Sequence, residues 1–530
     1  MSGQEYNYSN SPYYHVAHAR DLSGKDKLLF RLLEILPGAL SWGTILLIVI
    51  LSIYKPTWAA YFILAFDFYW LLKTVHLSFH HRYNWKRMLH NIKVDWQDMI
   101  GNLKYEHIYH IVILPYYTES REVIEGTLKS LENTNYRKDR MLIILAAEER
   151  AGTEAIQIGR EMEVKYANVF AKIITTVHPE DLPGEMAGKG SNISYAAEQG
   201  RIEILDKENI SYENVLVSAF DIDTVVYPQY FLCLTWHFLT AEDPYKSSFQ
   251  PIPLYNNNIW EANPISRVAA LTSTYWQMIQ QERPEKLATF SSHAVSFRTL
   301  FENKYWQRNM VSEDSRIFWN MLMAHNGNYN VVPISYPVSM DANLAESFWK
   351  TMRNIYKQHR RWSWGVENIP YVLFNFIKNK KIPLRKKIRY SFVQIEGFWS
   401  LATNPLVILL LGWLPIILGG TAFRSTVLSY NLPLITRNLM ALAMAGLILS
   451  AIIGASLVPK MPESYRRRKS RWVMMFLQWL LVPFTIIIFG AIPGLDAQTR
   501  LMFGRYMGFW VTPKHRKGDT VDIAPTGQNI

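Results

Sequence analysis

The chain has 530 residues, of which 14% are aromatic, with 18 Trp, 30 Tyr, one Cys and a formal net charge of +12. That length exceeds what one ordinary core organises, so two or more units are expected. The lone Cys233, set in an apolar stretch, excludes a disulfide framework. With no zinc-finger spacing and no basic recognition helix, the positive charge points to lipid or phosphate and not to nucleic acid.

In chain order, residues 1–34 read as a polar cytoplasmic segment. Ile35–Tyr54 carries no charge and is long enough to span a bilayer, and Trp58–Leu77 is a second span with Asp67 inside it. An acid in a span marks either a functional site or a hydrogen bond to a neighbouring helix or to Lys73. Residues 35–79 therefore form a transmembrane hairpin. In residues 80–365 strand-like runs (His107–Leu114, Met141–Ala147, Val169–Val177, Val215–Phe220) alternate with helical ones (Ser120–Leu131, Gly152–Lys165, Ser191–Gln199). This is the pattern of an α/β domain with a doubly wound, mostly parallel sheet, here inserted between apolar helices. Residues 366–396 read as amphipathic interfacial helices. Within 397–495 three or more spans are expected, since Gly397–Phe423, Asn438–Pro459 and Trp472–Leu495 contain no Asp, Glu, Lys or Arg. Residues 496–530 form a C-terminal segment. Basic residues before the first span, after the second, at 378–389 and at 460–471 orient the α/β domain to the cytoplasm, in a multi-pass plasma-membrane protein.

Ligands of such sheets bind beyond the carboxyl ends of the strands, where Pro115, Glu148, Asp221 and Asp223 fall. Asp221-Ile222-Asp223 follows an apolar strand, and two carboxylates at i and i+2 suit Mg²⁺ or Mn²⁺ and hence a phosphate-activated substrate. Pro115-Tyr116-Tyr117-Thr118-Glu119 closes one strand and opens a helix, a junction that holds a base or phosphate as readily as it makes a proline turn. Gly188-Lys189-Gly190-Ser191-Asn192 gives close backbone approach, a point charge and an amide, without P-loop spacing. Ser312-Glu313-Asp314 opens a helix, where Ser is an ordinary cap and an acid can serve as general base. Gln358, Arg361 and Trp362 share one helical face, suited to a diphosphate and a sugar ring, or to a membrane interface.

The order D-I-D, S-E-D, Q-H-R-R-W resembles membrane-embedded family 2 glycosyltransferases of the cellulose, chitin and hyaluronan synthase type, with a GT-A catalytic domain over roughly residues 105–365. Phe509-Trp510-Val511-Thr512-Pro513-Lys514 is similar to the F-x-V-T-x-K gating loop of cellulose synthases, assigning Phe509, Val511, Thr512 and Lys514. The resemblance implies an inverting, processive transfer from a nucleotide-diphosphate sugar, UDP-linked first of all, to a glycan or lipid-linked acceptor. Donor contacts would come from Pro115, Tyr117, Glu119, Glu148, Lys189, Asn192 and Asp221, the metal contact from Asp223, the catalytic base from Asp314, and acceptor and diphosphate contacts from Glu313, Gln358, Arg361 and Trp362. The chain departs from the pattern at Ala147, where the family has an acid, at Ser312 in place of Thr, and at Phe290-Ser291-Ser292-His293. His293 there is either an acceptor contact or a packed histidine. Single-sugar transfer to a lipid phosphate, and a transporter or scaffold with an inactive domain, remain the other readings.

Overall fold

The computed structural model describes residues 8–459 and 470–512. Its centre is an eight-stranded sheet in the order β3-β2-β1-β4-β7-β6-β8-β5. The strands are β1 Tyr109–Pro115, β2 Met141–Glu148, β3 Lys172–His178, β4 Val215–Ala219, β5 Val225–Val226, β6 Ser247–Tyr255, β7 Ala294–Ser296 and β8 Asn330–Met340. The first four pair in parallel, as the βα alternation predicts. They are buried on both faces, with Ile111, Ile113, Leu142 and Ile144 in one core and Val112, Leu114, Ile143 and Leu145 in the other.

The other half of the sheet is mixed, although parallel pairings still outnumber antiparallel ones. β7 runs antiparallel to both β4 and β6, β5 runs antiparallel to β8, and only β6 and β8 are parallel. Prolines hide these strands from a propensity reading: Pro251 and Pro253 lie in β6, Pro333 and Pro337 in β8. Their ladder accommodates them through a register shift between Gln250 and Ile252, near which Ser335 adopts φ +45°.

The polar reading of residues 1–34 also changes. Gly24–Tyr54 is one helix. The segment before it lies inside the protein, with Tyr14 fully buried and its carbonyl accepting a hydrogen bond from the Tyr371 hydroxyl at 2.9 Å. Backbone carbonyls of this segment are paired with side chains far along the chain, so its own side chains pack as a core. Helix Asn368–Lys378, expected at the interface, is largely core as well, burying Ile369, Tyr371, Val372, Phe374 and Phe376. The next helix, Leu384–Leu409, does expose an apolar stripe of Leu384, Ile388 and Phe392.

Among the described residues, Gly24–Tyr54, Pro56–Lys93 and Val473–Met502 are long and apolar enough to cross a membrane, and Leu384–Leu409 with Leu411–Leu418 forms a further pair bent by 49°. Asp67 is buried and accepts a hydrogen bond from Thr436 at 3.0 Å, and Lys73 pairs with Glu396. The basic residues at 460–469 and Lys514 lie outside the described residues.

Candidate active site

β4 ends at Ala219, two residues before Asp221, and helix Lys189–Gly200 begins with Lys189. The S-E-D helix, Glu313–Ala324, carries its two acids in its first turn, where the helix dipole favours negative charge. These three ends meet. The Lys189 ammonium lies 2.7 Å from Asp221 Oδ1, 3.0 Å from Asp314 Oδ1 and 4.0 Å from Glu313 Oε1. Burial alone would lower the Lys189 pKa, but the charges of Asp221, Asp314 and Glu313 outweigh it and raise the group above its ordinary value. Burial first, and then the charge of Asp314, push the Glu313 carboxyl well up, against Lys189 and Arg361.

Tyr255, at the end of β6, adjoins this cluster. Burial raises its phenol, and the charges of Asp221, Asp223 and Asp314 raise it further while Arg361 opposes them. Asp223 is fully buried, and its Oδ2 accepts the Asp341 amide at 2.9 Å. Asn257 donates to both the Asp223 carbonyl and Asp341 Oδ1, each at 3.0 Å. Ser291 donates to Asp221 Oδ2 at 2.9 Å, and the next residue, Ser292, is fully buried at φ +66°, a conformation that a non-glycine residue holds only under tertiary constraint.

The Q-H-R-R-W helix, Phe348–Ser363, supplies the opposite wall. Trp362 is partly exposed, its ring centroid 5.8 Å from that of Tyr255. With Tyr255, Asp341, Asn343, Gln358 and His359 it lines a small open cleft. Gln358 accepts from Asn343 at 3.4 Å. Arg361 lies over the Phe509 ring at 4.8 Å, and Phe509 in turn covers Gly188, where an added Cβ would meet the ring at 2.7 Å. Thr512 is buried, Val511 is partly exposed, and Trp510 takes the Lys357 ammonium at 5.0 Å.

Other expected donor residues are dispersed along the strand ends. Pro115 closes β1, Glu119 accepts the Tyr117 amide at 2.7 Å, and the Tyr117 ring carries the Arg150 guanidinium at 4.7 Å. Glu148 ends β2, buried and paired with Arg150. Asn192 is buried, and its amide donates to the Ala146 carbonyl at 2.8 Å, which ties its helix to the sheet. The capping reading of Ser312 is corrected: its hydroxyl makes no helix cap and instead donates to Glu367 Oε1 at 2.7 Å. His293 is a packed histidine, fully buried, with Nδ1 on the Phe290 carbonyl and Nε2 accepting from Trp306.

Among the described residues no three His, Cys, Asp or Glu side chains group as a ready metal cage. The D-I-D carboxylates still fit a hard divalent cation, since Mg²⁺ is commonly held by one or two carboxylates and completed by substrate phosphates and water.

Residues 216–454 match the family model described as glycosyl transferase family group 2, a stretch that includes the D-I-D, S-E-D and Q-H-R-R-W motifs. The chain carries a family 2 glycosyltransferase domain. No curated protein matches the sequence. Among solved structures the chain is similar to the mannosyltransferase PcManGT from Pyrobaculum calidifontis in complex with GDP-Man and Mn²⁺, at 12% identity and TM-score 0.41, covering 84% of this chain and 99% of that one. It is also similar to S. aureus TarS 1-349 in complex with UDP-GlcNAc, at 13% identity and TM-score 0.30, covering 66% and 91%. At these low scores and identities the likenesses carry neither fold nor substrate across.

Sequence reasoning missed Tyr255, Asn257, Asp341 and Glu367, and it noted Ser291 only as part of a segment departing from the family pattern. Tyr255 and Asp341 were within reach by the strand-end rule, but only once β6 and β8 had been recognised as strands despite their prolines.

Proposed function

We propose that the protein moves a sugar from a nucleotide-diphosphate sugar, UDP-linked first of all, onto a growing polysaccharide at the cytoplasmic face of the plasma membrane, with inversion, processively and with coupled translocation. The observation that carries this reading is the Lys189 bridge, which joins the D-I-D strand end to the S-E-D helix. Asp314 takes the proton of the acceptor hydroxyl as its oxygen bonds to the anomeric carbon. The bond from that carbon to the phosphate oxygen breaks, and the diphosphate leaves towards Lys189 and Arg361. Asp223 would hold Mg²⁺ or Mn²⁺, which when bound neutralises diphosphate charge, and Asp221 would contact the donor. Pro115, Tyr117, Glu119 and Glu148 line the nucleotide end. Glu313 stands beside the base, while Gln358 and Trp362 face the acceptor. Phe509, Val511, Thr512 and Lys514 act as the loop that closes over donor. The apolar helices support the membrane setting.

The test is a screen of nucleotide sugars for diphosphate release by the full chain, followed by sizing of the product. Release should stop with EDTA and return with Mg²⁺ or Mn²⁺, and long products should accumulate. Single-sugar addition would overturn processivity. Asp223→Asn should abolish transfer in a protein that still folds, and Asp314→Asn should lower kcat by about 10²–10⁴-fold. Ample turnover by a folded Asp314→Asn enzyme overturns the base assignment.

A further inference from the structure

The S-E-D helix is gripped at its first turn by a residue pair on the far side of the Q-H-R-R-W helix. Glu367 ends the short turn Trp364–Glu367 that follows that helix, five residues beyond Trp362. Its side chain is buried, and Oε1 accepts both the Ser312 backbone amide at 3.0 Å and the Ser312 hydroxyl at 2.7 Å. Oε2 accepts the Trp364 indole at 2.9 Å, which sets the carboxylate plane. Asn368 then donates to Ser315 at 2.9 Å and accepts Arg316 Nε at 2.6 Å. Arg316 is fully buried, stacked over Tyr371 at 3.9 Å, and donates to the Val16 carbonyl of the N-terminal segment at 3.2 Å. The anchored positions, 312, 315 and 316, bracket Asp314 on both sides. A hydrogen bond to a buried carboxylate is among the strong ones, and two donors from one residue fix that residue in orientation as well as in place.

We propose that Glu367 is a positioning residue for glycosyl transfer: by holding both donors of Ser312 it sets where the Asp314 carboxylate stands against Lys189 and the acceptor. The inference rests on Asp314 being the general base. Glu367 touches no reacting atom, so its removal acts on the chemical step and leaves donor affinity intact. Misplacement of a reacting group by about 1 Å costs on the order of 10²-fold in rate.

The experiment uses the full chain in lipid, with Ser312→Ala, Glu367→Ala and Glu367→Gln assayed for kcat, donor KM, UDP binding and thermal midpoint. Glu367→Ala should lose about 10–100-fold in kcat, with KM and UDP affinity within about threefold. Ser312→Ala, which deletes one hydroxyl and keeps the fold, should lose a smaller part of the same kcat. Glu367→Gln keeps an acceptor oxygen for Ser312 and should recover much of the rate lost in the Ala variant. The inference is overturned if kcat is unchanged in Ser312→Ala and Glu367→Ala, if UDP affinity falls in step with kcat, or if Gln is no better than Ala. If Glu367→Ala does not fold, Ser312→Ala decides by the same kcat and UDP criteria. Should Asp314→Asn retain turnover, the base reading fails first and takes this inference with it. A dead Asp314→Asn beside an unaffected Glu367→Ala overturns the positioning role alone.

Discussion

Lys189 faces three carboxylates from two distant segments, and two of them, Asp221 and Asp314, keep 31% and 27% of their side-chain surface exposed to the cleft. An ammonium so placed keeps acids together that would otherwise repel one another. The acid most affected is Glu313, buried and next to Asp314, whose carboxyl is raised above its usual 4.5 by burial first and by that like charge second. A carboxyl raised in the folded state binds its proton more tightly there than in the unfolded chain. Its contribution to stability is complete in acid and is lost as pH rises from the usual glutamate range through the raised value. Glu313→Gln removes this titration. The thermal midpoint of the variant relative to the natural protein should therefore climb between ~pH 5 and ~pH 8. A difference that stays flat with pH would show that Glu313 ionises normally.

At the scale of elements, two segments far from the motifs hold the cleft in shape. The C-terminal helix Ile492–Met502 is tied to the Q-H-R-R-W helix through Asp496, which accepts from Arg360 at 3.0 Å and from Arg500 at 2.8 Å. The chain beyond it brings Phe509 onto Gly188. Gly188→Ala places a methyl group within 2.7–2.8 Å of Phe509 carbons, and the C-terminal segment must move. Tryptic cleavage after Arg505 should accelerate and transfer should slow, whereas an unchanged digestion pattern would count against the contact. The N-terminal segment is the second support. Tyr14 is fully buried, and removing a buried aromatic ring costs about 3–5 kcal/mol. Tyr14→Ala should lower the thermal midpoint measurably, and a midpoint equal to that of the natural chain would mean that the segment does not pack.

At the scale of the whole molecule, segments from the two halves of the chain meet on the first apolar helix. Glu34 of the first apolar helix accepts the Ala19 amide from the N-terminal segment and the Tyr506 hydroxyl from the C-terminal one, each at 3.0 Å. Arg31 reaches the Leu501 carbonyl at 2.9 Å. The described parts of the N-terminal and C-terminal segments therefore meet at the start of the first apolar helix. The natural chain is a quiet background for testing its orientation, since its one cysteine, Cys233, is buried. Glu154→Cys, on the exposed surface of the domain, should react with a membrane-impermeant thiol reagent only in opened cells, and Lys55→Cys, between the first two apolar helices, in intact ones. The reverse pattern would invert the proposed topology.

The periodic part of the molecule was legible in the amino-acid order, because buried parallel strands are continuous apolar runs and their crossover helices repeat at a fixed period. β1 to β4, the helices between them and the acids at their ends follow from that rule. Tertiary structure alone decided the rest. Strands interrupted by Pro251, Pro253, Pro333 and Pro337 persist because a register shift and their neighbours accommodate them. A polar N-terminus is buried because its backbone groups find partners far along the chain, such as Tyr371 and Arg316. Ser312 grips Glu367 and not its own helix. Pairings across 55 to 357 residues leave no periodic trace in a sequence, since local propensity is blind to what the fold brings alongside.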